Sequence, residues 1–316
     1  MMHPNEVNRR RLACELVGEG IEIGPGCHPL PLAFGTRAVT YIDRFDRDSF
    51  LATFPECQAE IEGFPSAIVP MDVTKERLVH RFGPRSQDFV ILNHVLEHIV
   101  DPLALLADVH EVLRDGGILY VAIPDKRYMF DRHRPRTRLA ELIDRHCQHL
   151  SEPTDEMIVN FIEQAEQLSR RLDLTRPEDA RRVADHRRRS IHVNVWVVED
   201  LLQLLGHLSH EMETPWLLMD GLVTPTETIL LARSSSDPRD WLTTDRVMNR
   251  IWFDSHAAWI EREVMPGLEA INRTGLDAHD RLLLLDERVR ETQNFVRRIK
   301  QMLERLPLVK RLVGSK

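Results

Sequence analysis

The sequence predicts an α/β fold in which the strands of an open, mainly parallel sheet alternate with helices. Two observations carry this prediction. Short apolar segments of strand length recur through the first half of the chain, and the segments between them have the apolar spacing of helices. Strands that alternate with helices pair in parallel, and the helices cover the faces of the sheet. At 316 residues the chain has room for one large or two smaller domains.

Five strands are predicted in the first 125 residues. They lie at 20–24, 38–43, 66–73, 88–93 and 118–124. A helix is predicted to begin at Pro102 with Asp101 as its N-cap, because aspartate caps helices well and proline suits the first helical position. The aspartate and two glycines at 115–117 are predicted to end that helix.

The order of elements changes after the fifth strand. Residues 125–190 are rich in charge and are predicted to form a helical insertion. The elements predicted after it are a short strand at 191–196, a helix at 198–206, and two strands near 213–219 and 228–232. The last two strands bring the sheet to seven and are close enough in sequence to form a hairpin.

A serine-rich segment at 234–238 is predicted to end the first domain, which gives a domain at 1–235 and a helical extension at 236–316. Between 282 and 306 apolar residues alternate three and four positions apart, as in a coiled-coil seam. This helix is predicted either to form a homodimer or to pack back on the first domain. Its apolar and basic end could also contact a partner enzyme or a membrane surface.

Composition narrows the class of protein. The formal net charge of -8 gives no reason to expect nucleic-acid binding. Four scattered cysteines without a CxxC pair argue against a zinc site or a disulfide framework, and they suit a reducing compartment. We find neither the apolar run of a signal peptide nor a transmembrane segment. The sequence therefore predicts a cytoplasmic protein.

Glycines or polar residues follow four successive predicted strands. Ligands of an open parallel sheet bind beyond the carboxyl ends of its strands, near the point where strand order reverses. The first strand leads to Gly24 and Gly26, where the missing side chains let a ligand approach the backbone. Asp43, about twenty residues on, can accept hydrogen bonds from ribose hydroxyls. Asp72 follows the third strand, where it can meet an adenine amino group, and Asn93 ends the fourth.

These segments resemble the successive motifs of class I S-adenosylmethionine (SAM)-dependent methyltransferases. The matching segments are IEIGPG, YIDRFD, MDV, DFVILNHVLEHIVDP and VLRDGGILYVAIPD. The resemblance covers residues 20–125 and extends more loosely to residue 232. It implies a Rossmann-like seven-stranded sheet with a final antiparallel hairpin, SAM as the cofactor, and methyl transfer as the reaction.

The resemblance also implies which residues bind the cofactor. They are Glu22, Gly24, Gly26, Asp43, Asp72, Val73, Asn93 and His94. The glycine turn would line the methionine part of SAM, the first aspartate would hold the ribose, and the second would hold the adenine amine with the valine packed nearby. Asn93 and His94 would form the floor beside the methyl group. His28 and Pro29 stand where many members of the family have a third glycine, so the role of this turn stays open.

Two single motifs are compatible with other sites. A dinucleotide site of the GxGxxG type would need glycine at position 29, where Pro29 stands. His94, Glu97 and His98 match HxxEH, the zinc pattern of one group of metallopeptidases. That motif directly follows a predicted buried strand, leaves barely one helical turn before Asp101, and has no evident third ligand. We therefore expect no metal, and a zinc hydrolase remains a weaker alternative.

The segment at 124–135, PDKRYMFDRHRP, follows the fifth strand and is predicted to form a lid over the methyl acceptor. A similar segment recurs in methyltransferases found with glycan-assembly enzymes, which favours a small-molecule or glycan acceptor. The arginines near 181–189 could hold an anionic group of the acceptor. The predicted substrate-binding residues are Arg127, Tyr128, Arg134, Arg187 and His192. Each is equally compatible with a solvated surface or a packed core.

The predicted reaction is in-line transfer of the SAM methyl group to an oxygen or nitrogen atom of a small, sugar-bearing or anionic acceptor. Positioning alone supplies about 7–11 kcal/mol in well-oriented pairs. A hydroxyl acceptor would also need a base, and His94, His98 and His133 are candidates because imidazole titrates near neutral pH. The alternative function is a SAM-binding scaffold protein without transfer activity, against which Asp43 and Asp72 argue.

Overall fold

The computed structural model describes residues 4–32, 35–168, 170–224, 226–237 and 251, all within one compact unit, Met1–Ser255. These residues form a sheet of seven strands: β1 (Gly18–Ile23), β2 (Thr36–Asp43), β3 (Val69–Pro70), β4 (Gln87–Asn93), β5 (Leu113–Pro124), β6 (Trp216–Val223) and β7 (Glu227–Ser234). The strand order is β3-β2-β1-β4-β5-β7-β6. Strands β1 to β5 pair in parallel, and β7 runs antiparallel to both of its neighbours. The predicted α/β fold and its final hairpin are confirmed.

Eight α-helices occur in the same described residues: α1 (Pro4–Ala13), α2 (Arg47–Thr53), α3 (Leu78–Phe82), α4 (Pro102–Val112), α5 (Leu139–Cys147), α6 (Asp155–Ala165), α7 (Pro177–Arg189) and α8 (Val198–Glu211). Helix α4 begins as predicted, because the Asp101 carboxylate accepts a hydrogen bond from the Ala104 N–H at 3.0 Å. Helices α5, α6 and α7 lie within the predicted insertion and make up about half of it. None of the described helices is both long enough and apolar enough to cross a membrane.

Both faces of the sheet are buried, which explains why its central strands are almost continuously apolar. On one face, Leu92 of β4 belongs to a cluster with Leu106 of α4 and Leu205 of α8. On the other face, Phe89 of β4 belongs to a cluster with Leu12 of α1. Packing on both faces therefore holds the ends of the strands in place along one edge of the sheet.

Two predicted boundaries near the insertion are wrong. Residues 191–196 form an extended segment rather than a strand, because their backbone hydrogen bonds are made singly to three separate segments, at Glu97, Lys126 and Thr137. Residues 115–117 do not end α4, which stops at Val112; they lie inside β5, where the pairing with β4 shifts register and Gly116 has a φ of +78°. The glycines therefore form an irregularity in the strand.

Other differences concern helices and the length of β3. Helix α8 continues through Gly206 to Glu211, because a helical glycine costs only about 1 kcal/mol and the leucine face extends past it. Strand β3 has two residues instead of the eight predicted at 66–73. Helix α1 was not predicted. Apart from 236, 237 and 251, the predicted extension at 236–316 lies outside the described residues, as does its coiled coil at 282–306.

Candidate functional site

The ends of β1 to β5 meet at one edge of the sheet, and the start of β7 joins them. Strand order reverses between β1 and β4, so Gly24 and His94 flank the point where open sheets bind ligands. Glu227 begins β7 opposite Pro124, the last residue of β5, and therefore lies at the same edge. We call this region, the residues following β1 to β5 together with Glu227, the carboxyl edge.

Two glycines shape the turn after β1. The φ angles are +64° at Gly24 and +51° at Gly26, both in the left-handed region. A Cβ atom on Gly26 would meet no other atom within 4 Å, so this residue borders open space. Beneath the turn, the fully buried Glu22 accepts a hydrogen bond from the Leu30 N–H at 2.8 Å. The Glu22 carboxylate thus supports the turn on its buried side, whereas Gly26 borders open space.

Glu22 is fully buried and Asp43 is half-buried, and neither carboxyl group has an ion-pair partner among the described residues. Burial raises the pKa of Glu22 to about 7, although the Leu30 N–H opposes this shift. Burial also raises the pKa of Asp43, whose Oδ1 accepts a hydrogen bond from the Phe45 N–H at 2.9 Å. Because the Asp43 carboxylate has no salt bridge among the described residues, it can accept hydrogen bonds from the donors of a bound ligand.

Asp72 lies in a loop that already engages its side chain. Its Oδ1 accepts hydrogen bonds from the N–H and O–H groups of Thr74 at 3.1 and 2.6 Å. Its Oδ2 lies 3.6 Å from Lys75 Nζ. Val73 packs against the apolar cluster that contains Leu92. If Asp72 contacts the adenine as predicted, its carboxylate would therefore bind the adenine in addition to Thr74 and Lys75.

A cavity of about 250 Å³ adjoins this loop. Val73 and Thr74 line one side, and Asp101 and Asp108 line the other. The glycine turn and Asp43 are not part of its lining. The cavity is thus separate from the open space above Gly26.

Asn93 ends β4 with a buried side-chain oxygen. Within the part of the chain that is described, this Oδ1 accepts no hydrogen bond. Leaving a buried acceptor unsatisfied costs about 1–3 kcal/mol. The position is therefore suited to accept a hydrogen bond from a bound molecule.

His94 is held between two buried carboxylates. Its Nε2 lies 2.8 Å from Glu227 Oε2, and its Nδ1 lies 3.4 Å from Glu97 Oε1. Arg9 of α1 binds the same Glu227 at 2.6 Å. Burial lowers the pKa of His94, but the two carboxylates outweigh burial and raise the pKa to about 9. Because a ring that keeps its proton at neutral pH is a poor general base, these carboxylates favour a role for His94 in the floor of the site over its predicted role as the base.

The other two candidate bases differ in their surroundings. Burial lowers the pKa of His98, although Glu97 opposes this shift, and Nδ1 of His98 donates a hydrogen bond to the Ile191 carbonyl at 2.9 Å. Its ring centroid lies 4.9 Å from that of His192. His133 is exposed, and its Nε2 accepts a hydrogen bond from Arg132 at 2.9 Å. The structure brings His98 and His192 together and gives His133 no part in this contact.

The extended segment at 191–196 joins the insertion to the loop after β4. The Asn194 N–H donates to the Glu97 carbonyl at 3.0 Å, and its side-chain amide donates to the Ile99 carbonyl at 2.6 Å. On its other side, the Thr137 N–H donates to the Val195 carbonyl at 2.9 Å. A third bond joins the predicted lid to the same segment, because the Lys126 N–H donates to the Trp196 carbonyl at 3.0 Å.

The arginines predicted to bind substrate are already paired with carboxylates. The pairs are Arg127–Asp125, Arg134–Asp131 and Arg187–Asp155. The Arg127 guanidinium also lies 5.5 Å from the ring centre of Tyr128. Since these positive charges are balanced within the protein, the structure gives less support for an anionic acceptor than the sequence did.

Sequence analysis missed several residues that build the site. They are Arg9, Asn194 and Glu227. The partners in these hydrogen bonds lie far away along the chain, so a local motif does not mark them. One signal was available: Asn194 interrupts an apolar run, and Glu227 directly precedes another, where a polar residue needs a specific partner.

The chain matches the family described as "Methyltransferase domain" over residues 5–207, which is well over half of its length. The chain belongs to this methyltransferase family. A search of the curated proteins gave no match.

Solved structures of SAM-dependent methyltransferases are similar to this methyltransferase. One from Methanosarcina mazei has 14% identity and a TM-score of 0.36 over 75% of this chain and 99% of that chain. One from Mesorhizobium loti has 15% identity and a TM-score of 0.39 over 73% and 96%. The CurJ carbon methyltransferase has 14% identity and a TM-score of 0.36 over 70% of this chain, which spans only 50% of that chain. Likenesses this distant carry no information about the acceptor.

SAM is the cofactor of this methyltransferase. The groups at the carboxyl edge fit it. Gly26 borders open space, Asp43 is a half-buried acceptor without an ionic partner among the described residues, and the Asn93 oxygen accepts no hydrogen bond from those residues. SAM carries ribose hydroxyls and amino groups that can donate to such acceptors.

Proposed function

We propose that this methyltransferase transfers the methyl group of SAM to an oxygen or nitrogen atom of a small, sugar-bearing acceptor. The acceptor would bind between the carboxyl edge and the insertion. The observation that carries the proposal is the combination of a glycine turn that borders open space at Gly26, the half-buried carboxylate of Asp43 without an ion pair among the described residues, and the buried Asn93 oxygen that accepts no hydrogen bond from them.

The cofactor contacts follow from this arrangement. Gly24 and Gly26 would accommodate the methionine part of SAM, and Asp43 would accept hydrogen bonds from the ribose. Asp72 and Val73 would contact the adenine. Glu22 would act as a positioning residue, because its carboxyl group lies beneath the turn and binds the Leu30 N–H.

Charge balance at the methyl group favours the same placement. His94 and Arg9 carry positive charges beside the carboxylates of Glu97 and Glu227. These four charges cancel, so they add no net repulsion toward the SAM sulfonium. Asn93 and His94 would then form a polar floor beside the methyl group.

An exposed aromatic ring supports a sugar-bearing acceptor. Phe130 is 46% exposed, and its ring centroid lies 4.8 Å from that of His192. An aromatic ring beside polar groups suits a ligand with one apolar face and several hydroxyls. Because Arg134 and Arg187 are paired with carboxylates, we favour a neutral acceptor over an anionic one.

Catalysis would come mainly from positioning, since the sulfonium is already an activated methyl donor. The insertion and the loop after β4 are fixed to each other through Asn194, which would hold the acceptor in line with the methyl group. We place the reaction in the cytoplasm, because all four cysteines are free and suit a reducing compartment.

The test is methyl transfer from labelled SAM to a panel of sugars and amino sugars, with S-adenosylhomocysteine measured as the common product. Phe130→Ala should lower kcat/KM by about tenfold or more, the loss of about 1.4 kcal/mol of transition-state binding. SAM affinity should not change. Leu174→Ala is the matched control, because Leu174 is a similarly exposed apolar residue of the insertion. Wild-type turnover in Phe130→Ala would reject this acceptor site, and SAM binding without transfer to any acceptor would favour a scaffold protein.

A further inference from the structure

Three side chains beyond the end of β4 are arranged as ligands for a metal ion. A carboxylate oxygen of Glu97 and one ring nitrogen from each of His98 and His192 lie within 4.8 Å of one another. Glu97 is 1% exposed. We propose that these three residues bind one divalent transition-metal ion. The ion would lie on the acceptor side of the site, the side where the carboxyl edge meets the insertion.

Both histidines are oriented by their second nitrogen, as metal-binding histidines usually are. Nδ1 of His98 donates to the Ile191 carbonyl at 2.9 Å, and Nδ1 of His192 donates to Asp131 Oδ2 at 2.6 Å. Because each Nδ1 carries the proton, each Nε2 has a lone pair that can coordinate a metal. Arg134 in turn binds the other oxygen of Asp131 at 2.6 Å, which fixes the outer shell.

Glu97 has one oxygen without a protein partner. Its Oε1 lies 3.4 Å from His94 Nδ1, whereas its Oε2 is buried and makes no hydrogen bond to any described residue. A buried carboxylate oxygen without a partner is costly. Coordination to a cation would satisfy it, and this orphan oxygen is an observation independent of the clustering of the three side chains.

The motif HxxEH contributes to this site in an unexpected way. His94 is engaged by two carboxylates, so the ligands from the motif are Glu97 and His98. The third ligand, His192, comes from the extended segment after the insertion. One reason to expect no metal was that the sequence shows no evident third ligand. The fold brings His192 close to Glu97 and His98, where it can be that ligand.

The donor set indicates which metals fit. Two imidazoles and one carboxylate are typical of catalytic zinc sites, which keep a further position open, and of other first-row divalent ions. Mg²⁺ and Ca²⁺ prefer oxygen ligands alone. Bonds of about 2.0–2.2 Å place neighbouring ligand atoms about 3.4 Å apart, so the three groups need to close by no more than about 1.4 Å.

The open position could take a hydroxyl oxygen of the acceptor. Coordination would lower the pKa of that hydroxyl and release its proton to water. The oxygen could then form its bond to the SAM methyl carbon as the sulfur–carbon bond breaks, leaving S-adenosylhomocysteine. This role rests on the proposed function, whereas metal binding itself does not.

The experiment is a Co²⁺ titration of the full-length, untagged protein after treatment with a chelator, followed through the visible absorption of bound Co²⁺ and by competition with Zn²⁺. We expect one equivalent of Co²⁺ to bind and Zn²⁺ to displace it. His192→Ala and Glu97→Gln should each weaken binding by more than about 100-fold, and Asp131→Asn by about 10–100-fold. His146→Ala is the matched control, because His146 also pairs with an aspartate, Asp101, at 2.8 Å.

Circular dichroism and SAM calorimetry on every variant establish that it folds. If His192→Ala does not fold, the Co²⁺ affinity of the nearly isosteric Glu97→Gln decides whether the site exists. Wild-type protein that takes up no Co²⁺, or ligand variants that bind it as tightly as the wild type, would overturn the metal site. A wild-type protein that does not bind SAM would reject the proposed function. That result would leave the conclusion on Co²⁺ binding unchanged.

Discussion

The ends of β1 and β2 treat negative charge in the opposite way to the insertion. At the carboxyl edge, Glu22 and Asp43 form no salt bridge with the described residues, and burial raises the pKa of both. In the insertion and at its start, Asp131 and Asp125 are also buried, yet each binds an arginine. These two carboxylates are therefore balanced within the protein, whereas the ends of β1 and β2 keep acceptors that a ligand can satisfy.

The largest expected effect comes from breaking a pair in the insertion. Arg134→Met keeps most of the volume but leaves the Asp131 charge without its arginine, and breaking a buried pair costs about 3–5 kcal/mol of unfolding free energy. Urea denaturation measures this loss. Combining Arg134→Met with Asp131→Asn should recover part of it, because the uncompensated charge is then removed. A single variant within about 0.5 kcal/mol of the wild type would show that the pair contributes little.

A smaller effect is expected from the unpaired Glu22, and it depends on pH. The folded-state pKa of about 7 lies above the ordinary value of 4.5, so the protonated group stabilises the fold at low pH. As pH rises from 4.5 through 7, the unfolded state releases this proton more readily and stability is lost, by about 3 kcal/mol in total. Glu22→Gln cannot titrate. The difference in unfolding free energy between variant and wild type should therefore shift by that amount in favour of the variant between pH 4.5 and pH 8, and parallel stability curves would contradict the assignment.

At Asp43 the expected effect is on binding rather than folding. Asp43→Asn should weaken SAM binding by about 1.5–3 kcal/mol, the scale of a hydrogen bond to a charged group. Its unfolding free energy should not fall, because the variant removes a half-buried charge that has no salt bridge among the described residues. Calorimetric titration with SAM measures the change. Asp48→Asn, an exposed position in α2, is the control and should bind SAM as the wild type does.

The smallest effect separates backbone strain from ligand contact. Gly26 and Gly83 both have left-handed φ angles, +51° and +81°, and a Cβ atom on either would meet nothing within 4 Å. Alanine at each position should cost about 1–2 kcal/mol of stability through backbone strain. Only Gly26→Ala should also lower SAM affinity, by about tenfold, since its methyl group enters the space above the turn. Equal SAM affinity in the two variants would contradict the placement of the cofactor over this turn.

The carboxyl edge was largely predictable because its elements are local. Asp43 and Asn93 each end an apolar run, and the end of such a run marks the end of a strand. The glycine pattern at 24–26 marks the turn in the same way. The candidate cofactor residues therefore followed from short segments, although their roles in binding SAM remain predictions.

The acceptor side was less predictable because its contacts join distant segments. His94 seemed a candidate base from its motif, but Glu227, 133 residues away, helps to keep it protonated. The arginines of the insertion seemed available for an anion until folding paired Arg134 with Asp131 and Arg187 with Asp155. Sequence spacing alone does not reveal such partners.

The most direct test of the account is a crystal structure of the protein with S-adenosylhomocysteine. We predict that Asp43 lies within hydrogen-bonding distance of the ribose hydroxyls, that the adenine lies beside Val73, and that the amino-acid part crosses the turn at Gly26. Binding of the whole molecule in the cavity lined by Thr74 and Asp108, without contact to Asp43 or to the turn at Gly26, would contradict the central claim that the carboxyl edge is the cofactor site.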